Sequence, residues 1–377
     1  MKTIMHIAEA FGGGIVTFLA NLANQQVDHY NVIIVHGIRP ETHANYKDFF
    51  DPRVKLIKAE HFQQQIRLRQ ELKALKELRG LIWQYKPEII HMHSSQAGVL
   101  GKLAAWGHPC NKAYSPHGFS FLREDVGRLK RLAFMTLERI FAQFSCVMVA
   151  SSASEFRAAK NLTKKSILIM NGICSDSLKP FEHIKPENEI PVVGMVGRAL
   201  PQKNPAMFNE IAERMPHIHF EWIGDGDLRY QLSAKNIHIV GWGPREEALD
   251  YLAKSDIYIM TSLWEGMPLS LLEAMYLSKP CVVTNVVGNR DVIRDDKNGF
   301  VCSSVDEFVE KIQYLVDNKE VRERLGKAGH EDVENIYNSA AMERRFSDAY
   351  SLGMKAIKAW HKKDLGSDLA NWVNHEK

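Results

Sequence analysis

Cysteine is scarce in this chain. There are five in 377 residues, at positions 110, 146, 174, 281 and 302, an odd number with no pair at metal-ligand spacing. That excludes a disulfide scaffold and a structural zinc, and points to a reducing compartment. Long apolar runs are also missing, and nothing approaches the ~18 apolar residues that a membrane span needs. The opening Met1–Ala8 carries one positive charge and its apolar run stops at Glu9, too short for the core of a signal peptide, so it reads as a first strand. There is no low-complexity segment, no short repeat, no basic run of five or more and no known nucleic-acid signature. A cytoplasmic protein is expected, peripheral on the inner face of the cell membrane at most, with no nucleic-acid partner.

What is present is ordinary globular composition, 45% hydrophobic and 25% charged, at a length that favours two domains. The net charge of +3 conceals an asymmetry. Residues 1–174 hold 23 Lys+Arg against 13 Asp+Glu, or +10, and the remainder 25 against 32, or −7. A basic half faces something anionic, and a phosphate-bearing substrate or an anionic membrane surface fits better than nucleic acid.

Strand-like apolar runs alternate with segments of helical period, at Thr3–Ala8 and Ile15–Gln26 first, then at Asn31–His36, Gln65–Tyr85, the strand and polar loop of Pro87–Ser95, and onwards. Such βαβα alternation predicts parallel, doubly wound sheets. A polar stretch with Pro180 and Pro186 interrupts it before the alternation restarts at Pro191. The expected division is therefore residues 1–175, a linker over 176–190, a second domain over 191–340, and a last helix with its tail over 341–377. The helices Gln65–Tyr85 and Arg128–Phe144 are amphipathic and basic, and read either as solvated core-facing helices or, over residues 66–83 and 123–144, as contacts to a membrane surface.

Residues able to do chemistry gather in strand-to-helix loops. Trp264-Glu265-Gly266-Met267-Pro268-Leu269 follows the apolar run Ile257–Met260 and opens a helix that carries Glu273, eight positions after Glu265. Helix N-termini present unpaired N–H groups with a positive dipole end, so this segment suits a diphosphate with hydroxyls nearby, though it also reads as a capped helix after a strand. Arg198 and Lys203, five apart in another such loop, can clamp two phosphates, one by its fork and one as a point charge. Gly12-Gly13-Gly14 lies between strand and helix, either a phosphate cradle or a tight turn, and lacks the spaced glycines of the dinucleotide fingerprint. His117, between Pro116 and Gly118 in a loop, is the candidate histidine, and His91 reads as a core residue within its strand. Gly224-Asp225-Gly226-Asp227 lacks a third metal ligand and reads as a turn and cap. No metal is expected.

Taken in order, the Gly12–Gly14 loop, His117-Gly118, Gly197-Arg198 with Lys203, Gly224-Asp225-Gly226, and Glu265 with Glu273 resemble the pattern of family-four retaining glycosyltransferases. The resemblance covers about residues 1–350. It implies the α/β GT-B fold, two Rossmann-like doubly wound parallel-sheet domains facing across a cleft. It also implies a nucleotide-sugar co-substrate, expected to be a UDP-sugar, with no further cofactor. By resemblance, Arg198 and Lys203 grip the donor diphosphate, Glu273 holds the ribose, and Glu265 lies by the donor sugar with backbone contacts from Gly266, Met267, Pro268 and Leu269. Gly13 and Gly14 approach the phosphate and acceptor side, and His117 sits near the sugar. His117, Glu265, Arg198 and Lys203 are thus the expected catalytic set. The acceptor would be a glycan or a polyprenyl-diphosphate-linked one, in capsule, exopolysaccharide or similar cell-surface polysaccharide assembly. The same architecture also serves nucleotide-sugar epimerases, which isomerise the donor without acceptor, and would serve a non-catalytic nucleotide-sugar-binding protein.

Overall fold

The computed structural model describes residues 1–39, 42, 44–62, 67–122, 126–186 and 188–351. The chain divides into two compact units. Among described residues the first comprises 1–122, 126–171 and 339–351, and the second 172–338. The expected linker over 176–190 clusters with the second unit, where Leu178 is fully buried. The parts of the sequence expectations that fall at 65–66, 123–125 and 352–377 lie outside the described residues.

The first unit is built on β1 (Lys2–Ala8), α1 (Gly14–Gln26), β2 (Tyr30–His36), β3 (Lys55–Lys58), α2 (Leu68–Tyr85), β4 (Ile89–His93), α3 (Ser95–Ala104), β5 (Asn111–Ser115), α4 (Arg128–Phe141), β6 (Val147–Ala150), α5 (Ala153–Leu162) and β7 (Ser166–Leu168). Its seven strands are all parallel, in the order β3-β2-β1-β4-β5-β6-β7. The near-continuous apolar runs of β1, β2 and β4 are what a sheet covered on both faces requires.

The second unit follows with β8 (Val192–Val196), α6 (Pro205–Arg214), β9 (His219–Ile223), β10 (Ile237–Ile239), α7 (Arg245–Lys254), β11 (Ile257–Met260), α8 (Leu269–Tyr276), β12 (Cys281–Thr284), β13 (Gly299–Cys302), α9 (Val305–Asp317) and α10 (Lys319–Asn335). Its sheet, again parallel, runs β10-β9-β8-β11-β12-β13. The last described helix, α11 (Ser339–Ser351), belongs to the first unit, where it packs on α1.

Strand order reverses between β1 and β4 in the first sheet and between β8 and β11 in the second. In open α/β sheets, the loops at the carboxyl ends of such a pair diverge and leave a crevice for ligand.

Candidate active site

In the second unit the loops after β8 and β11 are stitched together. Leu263 N donates to Gln202 O at 2.8 Å, Thr261 Oγ1 to Lys203 O at 2.8 Å, and Gln202 Nε2 to Trp264 O at 3.0 Å. Lys203 Nζ lies 2.7 Å from Glu265 Oε1, and Gln202 Nε2 lies 3.3 Å from Oε2. The pair is largely withdrawn from water, with side-chain exposures of 15% for Lys203 and 8% for Glu265. At that depth the two charges hold each other firmly, and losing either partner strands the other. Gly288 explains how close the neighbouring loop comes. Its φ is +89°, and a Cβ there would stand 2.8 Å from both Glu265 Cβ and Gly266 O.

Glu273, on α8, pairs separately with Arg245 Nη2 at 2.7 Å, out of hydrogen-bond alignment. Burial holds the Tyr258 hydroxyl well above its ordinary pKa, and the hydroxyl donates to Ser270 Oγ of α8 at 3.1 Å. Met267 and Leu269 are buried and Gly266 is half-buried. Pro268 precedes α8 without a side-chain cap, so the first-turn N–H groups keep their anion-binding capacity. Arg198 is half-buried in the loop after β8. Asp225 is fully engaged as a turn residue, its Oδ1 accepting from Gly226 N and its Oδ2 pairing with Arg229.

The first unit places Gly13, Gly14 and His117 at its own switch point. Gly13 caps α1 at φ +53°, ψ −132°, with no side-chain cap, and a Cβ at Gly13 or Gly14 would meet nothing within 4 Å. His117 sits at φ +53° after β5. Its turn is pinned by Glu155, buried in the first turn of α5: Gly118 N donates to Glu155 Oε1 at 2.7 Å, and Ser151 N to Oε2 at 2.6 Å. His117 Nε2 lies 3.0 Å from His93 Nδ1, and His93 Nε2 lies 3.0 Å from His6 Nδ1. His6 Nε2 lies 2.8 Å from Gln26 Oε1. Burial pushes the His6 and His117 imidazoles down to about 4 and His91 and His93 well below their usual range, so the cluster is neutral at ordinary pH. His91 is a satisfied core residue, bonded to Tyr350 Oη and Ser115 Oγ.

Arg198, Lys203, Glu265, Gly266, Met267, Pro268, Leu269 and Glu273 therefore all belong to one unit, and Gly13, Gly14 and His117 to the other. Several polar groups at these loops escaped the sequence reading. Arg245 opens α7, where a cation opposes the helix dipole, and that mismatch was the available signal for a partner. Ser94, before α3, has φ +79° and ψ 158°, a conformation almost reserved for glycine, and its Oγ is buried without a hydrogen-bond partner among the described residues. Nothing in the local sequence marks it. His6 and Gln26 look like strand and helix filler until β1 is set in register with β4, which pairs His6 with His91.

Two parallel α/β units with ligand-ready switch points define the GT-B class, and solved glycosyltransferase structures share the fold. Anabaena HepE in complex with UDP and glucose matches 93% of this chain and 100% of its own at a TM-score of 0.75 and 16% identity. Sucrose-phosphate synthase from Thermosynechococcus elongatus matches 93% and 98% at 0.77 and 15%. The glycosyl transferase 4-like domain model matches residues 13–162, and the glycosyl transferases group 1 model matches residues 178–332. Among curated relatives, the UDP-Gal:alpha-D-GlcNAc-diphosphoundecaprenol alpha-1,3-galactosyltransferase of Escherichia coli is 29% identical over 80% of this chain and 85% of its own. The capsular polysaccharide biosynthesis glycosyltransferase CapM of Staphylococcus aureus is 23% identical over 77% and 83%. The chain belongs to the group 1, family-four glycosyltransferases, and is an enzyme of that retaining type.

Proposed function

We propose that the second unit binds a UDP-sugar and that the enzyme moves its sugar to a glycan carried on a polyprenyl diphosphate, in the assembly of a cell-surface polysaccharide. The observation that carries this reading is the Lys203–Glu265 pair at the β8/β11 switch point, with the uncapped start of α8 beside it. Lys203, Arg198 and the α8 amides would neutralise the departing diphosphate, the charge that limits glycosyl transfer. Glu273 would exchange Arg245 for the ribose hydroxyls, and Glu265 would hold the sugar. The bond from the anomeric carbon to the phosphate oxygen breaks, the acceptor oxygen bonds that carbon on the same face, and the acceptor proton leaves on the diphosphate. No protein nucleophile and no metal is required by that route. His117 and the Gly13–Gly14 turn, in the basic first unit, serve the sugar and the acceptor.

No helix among the described residues is long and apolar enough to cross a membrane. An acceptor anchored in lipid would instead be met at the surface by α4, whose Leu129, Leu132, Leu137 and Ile140 are exposed among basic residues, and by Leu68 and Leu72 of α2. Leu72 is 58% exposed. Apolar residues rimmed by Lys and Arg suit an anionic lipid surface.

The test is a thermal-shift and hydrolysis panel of UDP-glucose, UDP-galactose, UDP-N-acetylglucosamine and GDP-mannose on wild type, Arg198→Ala and Glu273→Ala. A stabilising donor whose effect disappears in both variants is expected. A shift indifferent to both substitutions, or turnover that isomerises the donor without acceptor, would overturn the proposal.

A further inference from the structure

The histidines of the first unit form a chain whose direction can be read from its end. A neutral imidazole donates from one nitrogen and accepts at the other, and the bond made by one nitrogen fixes the state of its partner. Gln26 Oε1 faces His6 Nε2, and an amide oxygen only accepts, so His6 carries its proton on Nε2 and its Nδ1 is bare. His93 Nε2 must then donate to His6 Nδ1, which bares His93 Nδ1, and His117 Nε2 donates to that. His117 is left with an unprotonated Nδ1, which has no partner among the described residues.

Turning the Gln26 amide over would reverse all three bonds and put a proton on His117 Nδ1. Oε1 is the end that faces His6, and Nε2 is buried without a hydrogen-bond partner among the described residues. Tyr350 Oη lies 2.7 Å from His91 Nδ1, and His91 Nε2 lies 2.9 Å from Ser115 Oγ. All seven residues belong to the first unit.

We propose that Gln26 is a positioning residue that locks His117 as an Nε2–H tautomer, so that Nδ1 meets substrate as a hydrogen-bond acceptor for a sugar or acceptor hydroxyl. The chain ends on an amide oxygen, which cannot keep a proton. It therefore orients His117 and does not conduct protons away from it. The inference rests on the reading of His117 as a substrate-facing group.

The nitrogens of His6, His91 and His93 also lie close enough together to suggest a metal site. However, every one of them has a hydrogen-bond partner, and a metal would have to break the chain.

The test uses the full-length protein labelled with 15N-histidine, in which nitrogen chemical shifts report tautomers, with His117→Ala to assign that resonance. His117 is expected as Nε2–H in wild type, and as a mixture in Gln26→Leu. A His117 that carries its proton on Nδ1, or that ignores Gln26→Leu, would overturn the chain. So would one equivalent of zinc chloride shifting the His6, His91 and His93 signals together.

In turnover with the active donor, Gln26→Leu should lower kcat by about tenfold to a hundredfold, as for a misaligned catalytic contact, with donor KM near wild type. Gln26→Glu keeps an acceptor on His6 Nε2 and should stay within about threefold of wild type, a rescue that lost packing alone would not produce. An unchanged kcat in Gln26→Leu beside a lost kcat in His117→Ala overturns the positioning role. An unchanged kcat in both overturns instead the placement of His117 at substrate.

Discussion

The two units share a topology and handle polarity at their switch points in opposite ways. The second sets full charges against one another, Lys203 with Glu265 and Arg245 with Glu273. The first sets neutral imidazoles in a hydrogen-bonded row, with burial suppressing their protonation. Ion pairs can be re-partnered by a ligand that brings its own charges and hydroxyls, which suits a diphosphate-sugar. A neutral row resists charge and supplies direction instead, which suits orienting an uncharged hydroxyl. One fold thus offers an electrostatic site and a directional one.

The largest effects should come from the charged site. Arg198→Ala and Lys203→Ala are each expected to lower kcat by about 10²–10³, the usual loss when one donor to a developing anion is removed. Steady-state kinetics at saturating donor would check this. If Arg198→Ala raised KM alone, the residue would serve ground-state binding and the contrast between the units would weaken.

The neutral row makes its own prediction through acid. His6 has its pKa lowered from 6.5 to about 4 in the folded protein, so between those values the unfolded chain binds the proton and the folded one does not. Stability is therefore fully present above pH 6.5, falls as pH drops towards 4, and levels off below. At about 1.4 kcal/mol per unit, His6 alone accounts for about 3 kcal/mol. The other three histidines act in the same direction but are coupled, so their effects do not simply add. Hydrogen exchange should show β1 and β4 opening before β8 and β11 as pH is lowered from 7 to 5. Simultaneous opening of both sheets would remove the distinction.

Glycines at the two sites differ in the same spirit, one crowded and one open. Gly13→Ala should cost about 1–3 kcal/mol for its backbone conformation alone. Gly288→Ala carries a comparable backbone cost and adds an overlap with Glu265 and Gly266, a further ~1–3 kcal/mol, together with loss of donor binding. Denaturant melts of the two variants would separate the contributions, and equal costs would mean that the Gly288 loop can move aside.

Much of this was legible in the chain. The strand runs and helical periods fixed the parallel α/β class, because two-sided burial leaves an apolar signature that little else imitates. Glu265 stood out because it falls at a strand-to-helix junction, and Glu273 because it lies eight positions on, in the helix that follows. Three kinds of feature were not legible. β3, Lys-Leu-Ile-Lys, is a short edge strand with lysines at both ends, a composition that protects edges and hides them from pattern reading. Arg245 is joined to Glu273 only by tertiary packing. The Gln26–His6–His93–His117 row draws on two helix and strand ends and a loop, and its order exists only after β1 and β4 are paired across 87 residues.

The smallest effect on stability, and the sharpest contrast in surface, concerns α4 and α9. Both are strongly amphipathic helices, yet α9 of the second unit buries Phe308, Ile312 and Leu315, while α4 leaves Leu129 85% exposed, Leu132 54% and Ile140 56%. Phe308→Ala should cost about 3–5 kcal/mol through cavity formation. Leu129→Glu with Leu132→Glu should change stability by no more than about 1 kcal/mol, since both side chains are exposed. If the exposed stripe of α4 is what meets lipid, the double variant should lose co-sedimentation with vesicles containing anionic phospholipid while keeping donor hydrolysis. Added salt should weaken wild-type binding by screening the basic rim. Binding that survives both the substitutions and high salt would move the lipid contact away from α4, leaving its leucines without a role in docking.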